Sequence, residues 1–344
     1  MKNTKSLGIG IVGTGWVSGE YIKAVLGNPH CEVTGLCSRT PARAESKIRE
    51  YGLTNCRVTT DLKDLLAQDD VDVVVLCTPN FLHAGQGIAA ARAGKHVIVE
   101  KPVAIDLPSL RKLDKAVTAA GVKTVASFVL RWNPMFDNIR AMLSKKLIGK
   151  LFYAEVDYMH AIDVRTRLHR WHNKKELGGG ALLAAGCHAV DGLRWFMQDE
   201  AVEVSAYSSC SKKNPLRFDF DPNIVTMVKF AGGAVGKVGC SLEAQMPYVY
   251  RVMLFGDQGT IRDNQVFTTN WPGQTDWAEI PTVLPSSGDV EHHPFQGELD
   301  HFVGCIQQGK ESHCNVADAV KTHEICIAAD RSATSGKPVK LPLR

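Results

Sequence analysis

The chain has 344 residues, 44% hydrophobic and 22% charged, which suits a two-domain globular protein with sizeable cores. A net charge of +4, without any run of Lys and Arg interleaved with aromatics, argues against a nucleic-acid partner. No apolar stretch approaches membrane-spanning length. The ten cysteines are scattered with no C-x-x-C pair, and Cys37, Cys77, Cys240 and Cys326 lie in or beside apolar segments; free thiols in a reducing cytoplasm are expected, without a zinc knuckle or disulfide framework. Lys2 and Lys5 before an apolar run imitate a secretory leader, but the run reads as a first strand and no A-x-A-like site closes it.

That strand is Leu7 to Val12. Gly13-Thr14-Gly15 then leads into a helix with apolar residues at Val17, Tyr21, Ala24 and Val25, stopped by Gly27. Glycines between a strand and a helix N-terminus are the setting of a dinucleotide fingerprint. Gly13 permits the tight turn, Gly15 lets backbone approach a pyrophosphate, and the N–H groups opening the helix, around Trp16 and Val17, favour the phosphates. Ser18 replaces the third glycine of the pattern. The alternative is a structural turn in another α/β protein.

A second strand, Glu32 to Ser38, ends without the acid that would hold the ribose 2′-hydroxyl of NAD. Ser38 and Arg39 stand there, and a guanidinium suits a 2′-phosphate, so NADP is favoured over NAD. An exposed Arg near a helix start is the alternative. Thr40 and Pro41 suit the cap and first position of the next helix. A helix over Leu62 to Ala67 precedes the apolar run Val71 to Cys77, a strand covered on both faces. Thr78-Pro79-Asn80 turns out of it, His83 follows, and a helix over Gly85 to Ala93 ends at Gly94. His96 to Val99 is the next strand, left by Glu100-Lys101-Pro102. A helix over Leu107 to Ala119 and a strand within Val122 to Phe128 complete a doubly wound parallel sheet, assigned to residues 1–128. Ligands of such sheets bind at the carboxyl ends of the strands. Cys77, Thr78, Pro79, Asn80, His83, Glu100 and Lys101 therefore join Gly13, Gly15, Trp16, Val17, Ser38 and Arg39 as cofactor-binding candidates.

Residues 129–344 change character. After a helix over Pro134 to Leu143 come alternating strands at Leu151 to Met159, Ala201 to Tyr207, Ile224 to Phe230, Ala234 to Leu242 and Tyr250 to Phe255, with a hairpin turn at 230–234. This is an α+β domain with a large, mostly antiparallel open sheet. Between the first two strands, Gly178-Gly179-Gly180 leads into a helix with Val190, Leu193 and Met197 on one face and His188, Asp191 and Trp195 opposite. By α-helical spacing Ala184 shares the His188 face. Such a His is a catalytic or a structural residue. Trp271 to Asp289 reads as a long polar loop, Phe295 to Gln308 and Val316 to Ala333 as helices, and the last residues as a short extended tail.

Taken together, GIVGTGWVS, CTPNFLH, HVIVEKP, the GGGALL…His188 segment and the C-terminal pattern F…DHFV…DAV…SATSGKPVKLP resemble the Gfo/Idh/MocA family over nearly the whole chain. The resemblance implies a Rossmann domain followed by an open-sheet domain that often forms a dimer or tetramer interface. It implies an NAD(P)-dependent dehydrogenase acting on a sugar, polyol or derivative. Lys101 would contact the reacting hydroxyl beside the nicotinamide, from a cis Lys101–Pro102 bond, and His188 would exchange the hydroxyl proton. Many polyol dehydrogenases of the family carry an Asp four residues before this His, where this chain has Ala184; Asp191 could substitute in part or orient His188. Arg131, after the last Rossmann strand, is expected near cofactor and substrate, with Trp132 beside it. Tyr158, His160, Trp171, His188 and Asp191 are further substrate contacts, and Arg165, Arg167 and His172 share the loop of Trp171. His169 with His172, and His292 with His293, lack the further ligands of a metal site and read as incidental surface residues. Two other activities fit the family: a redox-neutral glycoside hydrolase with tightly bound NAD, and a non-catalytic nucleotide-binding regulator.

Overall fold

A computed structural model describes residues 6–161, 169–213, 216–285 and 293–344. Arg165, Arg167 and His292 lie outside the described residues. The chain forms two compact units, Met1–Phe128 with Pro294–Val320, and Val129–His293 with Lys321–Arg344.

In the first unit, β1 (Leu7–Val12), β2 (Cys31–Cys37), β3 (Arg57–Thr59), β4 (Val73–Leu76), β5 (His96–Val99) and β6 (Thr124–Ala126) form a parallel sheet in the order β3-β2-β1-β4-β5-β6. The strand order reverses between β1 and β4, the crevice where ligands of doubly wound sheets bind. Every residue of β4 is fully buried, as an unbroken Val/Leu run requires. The connecting helices are α1 (Trp16–Leu26), α2 (Pro41–Tyr51), α3 (Leu62–Leu66), α4 (Asn80–Arg92) and α5 (Leu107–Ala120). Pro41 opens α2 as expected, and Asp106 caps α5 by accepting from the Ser109 N–H at 2.8 Å. Two local differences appear. The short strand β3 carried no pattern of its own. Helix α4 starts at Asn80 rather than Gly85, because Pro79 acts as its N-cap and its carbonyl accepts from the Leu82 N–H at 2.9 Å.

The larger difference is the return of residues 294–320 to the first unit, where the sequence assigned them to the second domain. Helix α10 (Phe295–Gln308) packs on α1: the Tyr21 and Phe295 rings meet edge to face at 5.1 Å, and Asn28 Nδ2 donates to Asp300 Oδ1 at 2.7 Å. Beyond it, the Cys314 carbonyl accepts from the Ala126 N–H at 2.7 Å at the end of β6. Apolar periodicity locates a helix but does not say which sheet it covers.

Among the described residues the second unit is built on nine strands: β7 (Leu151–Met159), β8 (Ala201–Ser209), β9 (Asn223–Phe230), β10 (Val235–Ser241), β11 (Val249–Gly256), β12 (Gly259–Arg262), β13 (Gln265–Thr268), β14 (Ala278–Glu279) and β15 (Val339–Lys340). Their order is β14-β13-β12-β11-β7-β10-β9-β8-β15, and among the described pairings only β7 with β10 is parallel. The alternating burial along β9 leaves one sheet face on the core and one outward, where Tyr207, Val225 and Met227 are exposed. The stretch expected as a polar loop contains β14, whose Ala278 pairs with Val266, and the C-terminal tail adds β15 to β8. A 3₁₀ turn (Val129–Trp132) and α6 (Pro134–Ser144) open the unit, followed after β7 by the short α7 (His169–His172) and α8 (Lys175–Gly178). A π-helical turn over Leu182–Gly186 then feeds α9 (Cys187–Met197), and α11 (Val316–Ser335) follows α10. No helix among the described residues is long and apolar enough to cross a membrane.

Candidate active site

The first unit gathers its candidate residues at one edge of the sheet, because each follows the carboxyl end of a parallel strand: Gly13 after β1, Ser38 after β2, Cys77 after β4 and Glu100 after β5. Gly13 has φ +97°, and a Cβ there would sit 2.6 Å from the Cys77 carbonyl oxygen, so only glycine fits the turn. Gly15 is the N-cap of α1 and gives no side-chain cap to the helix, and no heavy atom lies within 4 Å of where its Cβ would be. Open space above an uncapped helix start is what a pyrophosphate requires. Trp16 stands exposed beside it, Val17 is half-buried, and the Ser18 hydroxyl donates back to the Gly15 carbonyl at 2.6 Å. The residues present thus fit a dinucleotide. The Thr14 and Ser38 hydroxyls are 3.0 Å apart, tying the turns after β1 and β2 together, while Arg39 is exposed.

His83 was expected to bind the cofactor. Its ring is buried inside the unit, with Nδ1 2.8 Å from the Pro102 carbonyl oxygen and Nε2 2.7 Å from that of Thr78. It clasps the Thr78-Pro79-Asn80 turn to the turn carrying Lys101. Burial holds its pKa below the ordinary value, against the two carbonyls, which raise it. Asn80 is buried in the first turn of α4, and Cys77 is a buried thiol whose pKa burial pushes well up. The Lys101–Pro102 bond is cis. The Lys101 backbone N–H donates to Glu100 Oε2 at 3.2 Å, and Glu100 is itself buried.

In the second unit His188 lies near the start of α9, 5% exposed. Its ring stacks on Tyr158 with centroids 6.2 Å apart at 20°, and the Tyr250 hydroxyl donates to the His188 carbonyl at 3.0 Å. Tyr158 also meets His160 and Tyr248 edge on, at 6.3 and 5.2 Å. The His293 ring lies 6.4 Å from that of His188. Burial, reinforced by Tyr248, raises the Tyr158 pKa well above the ordinary phenol value, so this ring stays neutral. Tyr158, His160 and His188 therefore come together as the sequence suggested. Tyr248 was missed, and His293 belongs with the cluster rather than being an incidental surface residue. Strand parity could have found the tyrosines: Tyr158 pairs in register with Tyr250 across β7 and β11, and Tyr248 precedes Tyr250 by two. What the sequence did not reveal is that these strands are neighbours.

Arg131 and Asp191, expected as substrate contacts, bind each other. Arg131 Nε and Nη2 donate to Asp191 Oδ2 and Oδ1 at 2.7 and 2.6 Å, and both side chains are about as buried as the core. Thr322 adds a hydroxyl bond to Asp191 at 3.0 Å, and the Arg131 and Arg140 guanidinium groups each lie 4.7 Å from the Trp195 ring centroid. Asp191 is thus a footing for α9 and no stand-in for a carboxylate beside His188. Ala184 also differs from expectation. It lies in the π turn, where α-helical spacing fails, so it does not simply occupy the face one α-turn before His188. The Trp171 and His172 rings are 4.0 Å apart in α7, and His169 is described there only by its backbone.

Two family models match. One, described as an oxidoreductase family with an NAD-binding Rossmann fold, covers residues 7–128, and the other, the GFO/IDH/MocA C-terminal domain, covers residues 136–262. The chain belongs to the Gfo/Idh/MocA oxidoreductase family. Within that family it is similar to scyllo-inositol 2-dehydrogenase (NAD(+)) of Bacillus subtilis, at 25% identity over 88% of this chain and 86% of that protein. It is also similar to inositol 2-dehydrogenase of Rhizobium meliloti, at 25% identity over 96% of this chain and 98% of that one. A solved levoglucosan dehydrogenase, in complex with NADH and levoglucosan, shares the fold with a TM-score of 0.88 at 23% identity, over 98% of this chain and 100% of that one. This member of the family is therefore an oxidoreductase with an NAD-binding Rossmann unit and a second, mostly antiparallel unit.

Proposed function

We propose that the chain transfers a hydride between a nicotinamide and a carbon bearing a hydroxyl or carbonyl group of a sugar, polyol or sugar derivative, with Lys101 and His188 handling the charge and the proton. The observation that carries this reading is Lys101 itself. It is the second residue after β5, at the strand edge where the Gly13–Gly15 turn leaves its helix start open. The names of the similar dehydrogenases support the substrate class.

When bound, the nicotinamide supplies the hydride acceptor or donor. The Lys101 ammonium is a compact cation with three donors; it holds the substrate oxygen and stabilises the negative charge that develops there. The His188 imidazole takes the hydroxyl proton during oxidation and returns it during reduction. Tyr158, stacked on that imidazole, limits its rotation, and Tyr250 fixes the backbone beneath it. His160, Tyr248 and His293 are the polar aromatics grouped around this ring, and we assign them to substrate hydroxyls. Arg39, exposed after β2, favours NADP over NAD. The outward sheet face with Tyr207, Val225 and Met227 supports a homo-oligomer.

The test is a screen of inositols, aldoses, anhydrosugars and nucleotide sugars with NAD⁺ and NADP⁺, read by nicotinamide absorbance. Accumulation of reduced nicotinamide with one class supports the reading. Cleavage of a glycoside without net reduction would replace it with the hydrolase.

A further inference from the structure

Behind the Lys101 turn lies a sealed polar cluster that the proposed chemistry does not use. Tyr21 comes from α1, Ser127 follows β6, Glu100 follows β5, and Glu298 comes from α10. Tyr21 and Glu298 are fully buried, and Ser127 and Glu100 nearly so. Five oxygen–oxygen contacts join them. The Tyr21 and Ser127 hydroxyls are 2.6 Å apart. Ser127 Oγ lies 3.1 Å from Glu100 Oε1 and 3.0 Å from Glu298 Oε2. The Tyr21 hydroxyl lies 3.3 Å from Glu100 Oε1 and 3.3 Å from Glu298 Oε1.

Counting hydrogens decides the charge state. Two hydroxyls supply two hydrogens, and one is used between Tyr21 and Ser127. With both carboxylates ionised, only one hydroxyl hydrogen is left for two buried anions; Glu100 also accepts the Lys101 N–H, so with Ser127 donating to Glu100 the Glu298 carboxylate faces lone pairs alone. A third hydrogen, on Glu298 Oε2, supplies all three contacts of Ser127, the shortest of the five, and leaves only the two 3.3 Å contacts of Tyr21 without one. Ser127 Oγ then accepts from Tyr21 and from Glu298 and donates to Glu100, filling its one donor and two acceptor positions. Glu100 is the partner that keeps the charge, because its other oxygen accepts the Lys101 N–H at 3.2 Å.

We propose that Glu298 is a positioning residue for the Lys101 turn: held as the neutral acid, it donates through Ser127 to the Glu100 carboxylate, and that carboxylate grips the Lys101 backbone. The surroundings agree. Burial first, and the Glu100 charge second, raise the Glu298 pKa to about 8. Tyr21 and Cys77, the other titratable groups facing the cluster from α1 and from the end of β4, are pushed well up by burial and stay neutral; burial raises the Glu100 pKa too, and Lys101 beside it works against that rise. The importance of this device for turnover rests on the proposed part of Lys101; its existence does not.

Two measurements on the full chain test it. Carbon-13 titration of labelled glutamate carboxyls is expected to show one group titrating near pH 8 that is absent from E298Q. A Glu298 that titrates in the ordinary carboxylate range overturns the inference. Amide exchange at Lys101 is the positional readout. Exchange should run roughly tenfold faster in E298A and S127A, the loss of about one net hydrogen bond, and return towards the native rate in E298Q, whose amide keeps a donor for Ser127. Equal Lys101 exchange in native protein, S127A and E298Q overturns the inference even if E298A does not fold. K101A separates the two readings: a variant that keeps turnover removes Lys101 from the chemistry and leaves the exchange result standing, whereas an inactive K101A with native-like exchange in S127A overturns the present inference alone.

Discussion

The two units solve the same problem, a buried carboxylate beneath a side chain to which we assign a part in the chemistry, in opposite ways. Under His188, Asp191 is met by Arg131 in a two-pronged bond, with Thr322 donating a further bond to Oδ1 and Arg194 at 4.0 Å. Under Lys101, Glu298 meets a second carboxylate and two hydroxyls, and it resolves the conflict by keeping a proton. The first footing is a buried ion pair, in which removing either partner strands the other. The second is a hydrogen-bond count that changes when one proton leaves. The second footing is therefore expected to weaken as pH rises from the ordinary carboxylate range towards 8.

The largest effect belongs to the chemistry above these footings. K101A should lower kcat by roughly a thousandfold or more while cofactor binding, followed by nicotinamide fluorescence, largely survives. Undiminished turnover would leave the comparison without a function. Next comes the ion-pair footing. Asp191→Ala strands the buried Arg131 and should destabilise the chain by about 3–5 kcal/mol, read from chemical denaturation. A cost near that of a surface substitution would mean the pair carries little.

The protonated footing is tested by pH. A glutamate loses its proton near 4.5 when unfolded and, here, near 8 when folded. The folded chain binds more protons between those values, so this group's contribution to stability falls as pH rises from 4.5 to 8 and then levels off. E298Q lacks that fall. Its thermal midpoint should gain steadily on the native chain across this window, by an amount on the order of a few kcal/mol in stability. Parallel midpoints at all pH values would remove the contrast between the units. The smallest effect concerns selectivity: Arg39→Ala should weaken NADP binding by roughly tenfold and leave NAD nearly unchanged, and equal loss for both would withdraw the NADP preference.

What the sequence made legible was local. The Gly13–Gly15 turn, the apolar run before Thr78 and the Glu100-Lys101-Pro102 turn each announce themselves within a dozen residues, and chain order then places them at one sheet edge. The alternation in β7 to β11 similarly exposed the second sheet. The parts that stayed hidden are pairings between distant segments. Nothing near Glu298 says that α10 returns to α1, so a buried glutamate reads as an ordinary polar residue of a helix face. The same blindness left Arg131 and Asp191 as separate candidates, one for its place after the last Rossmann strand and one for its place on the His188 face, since nothing local joins them. It also hid the π turn that displaces Ala184, and the neighbouring strands that bring Tyr248 beside His160.

The most direct test of the central claim follows the label rather than the rate. A polyol or sugar active in the screen, deuterated at the reacting carbon, is mixed with native chain and oxidised cofactor for a single turnover, and the nicotinamide is analysed by mass. The expected result is deuterium on the reduced nicotinamide, with transfer lost in K101A and strongly slowed in His188→Ala. Deuterium released to water, or equal transfer by the native chain and K101A, would contradict the hydride transfer and the residues assigned to it.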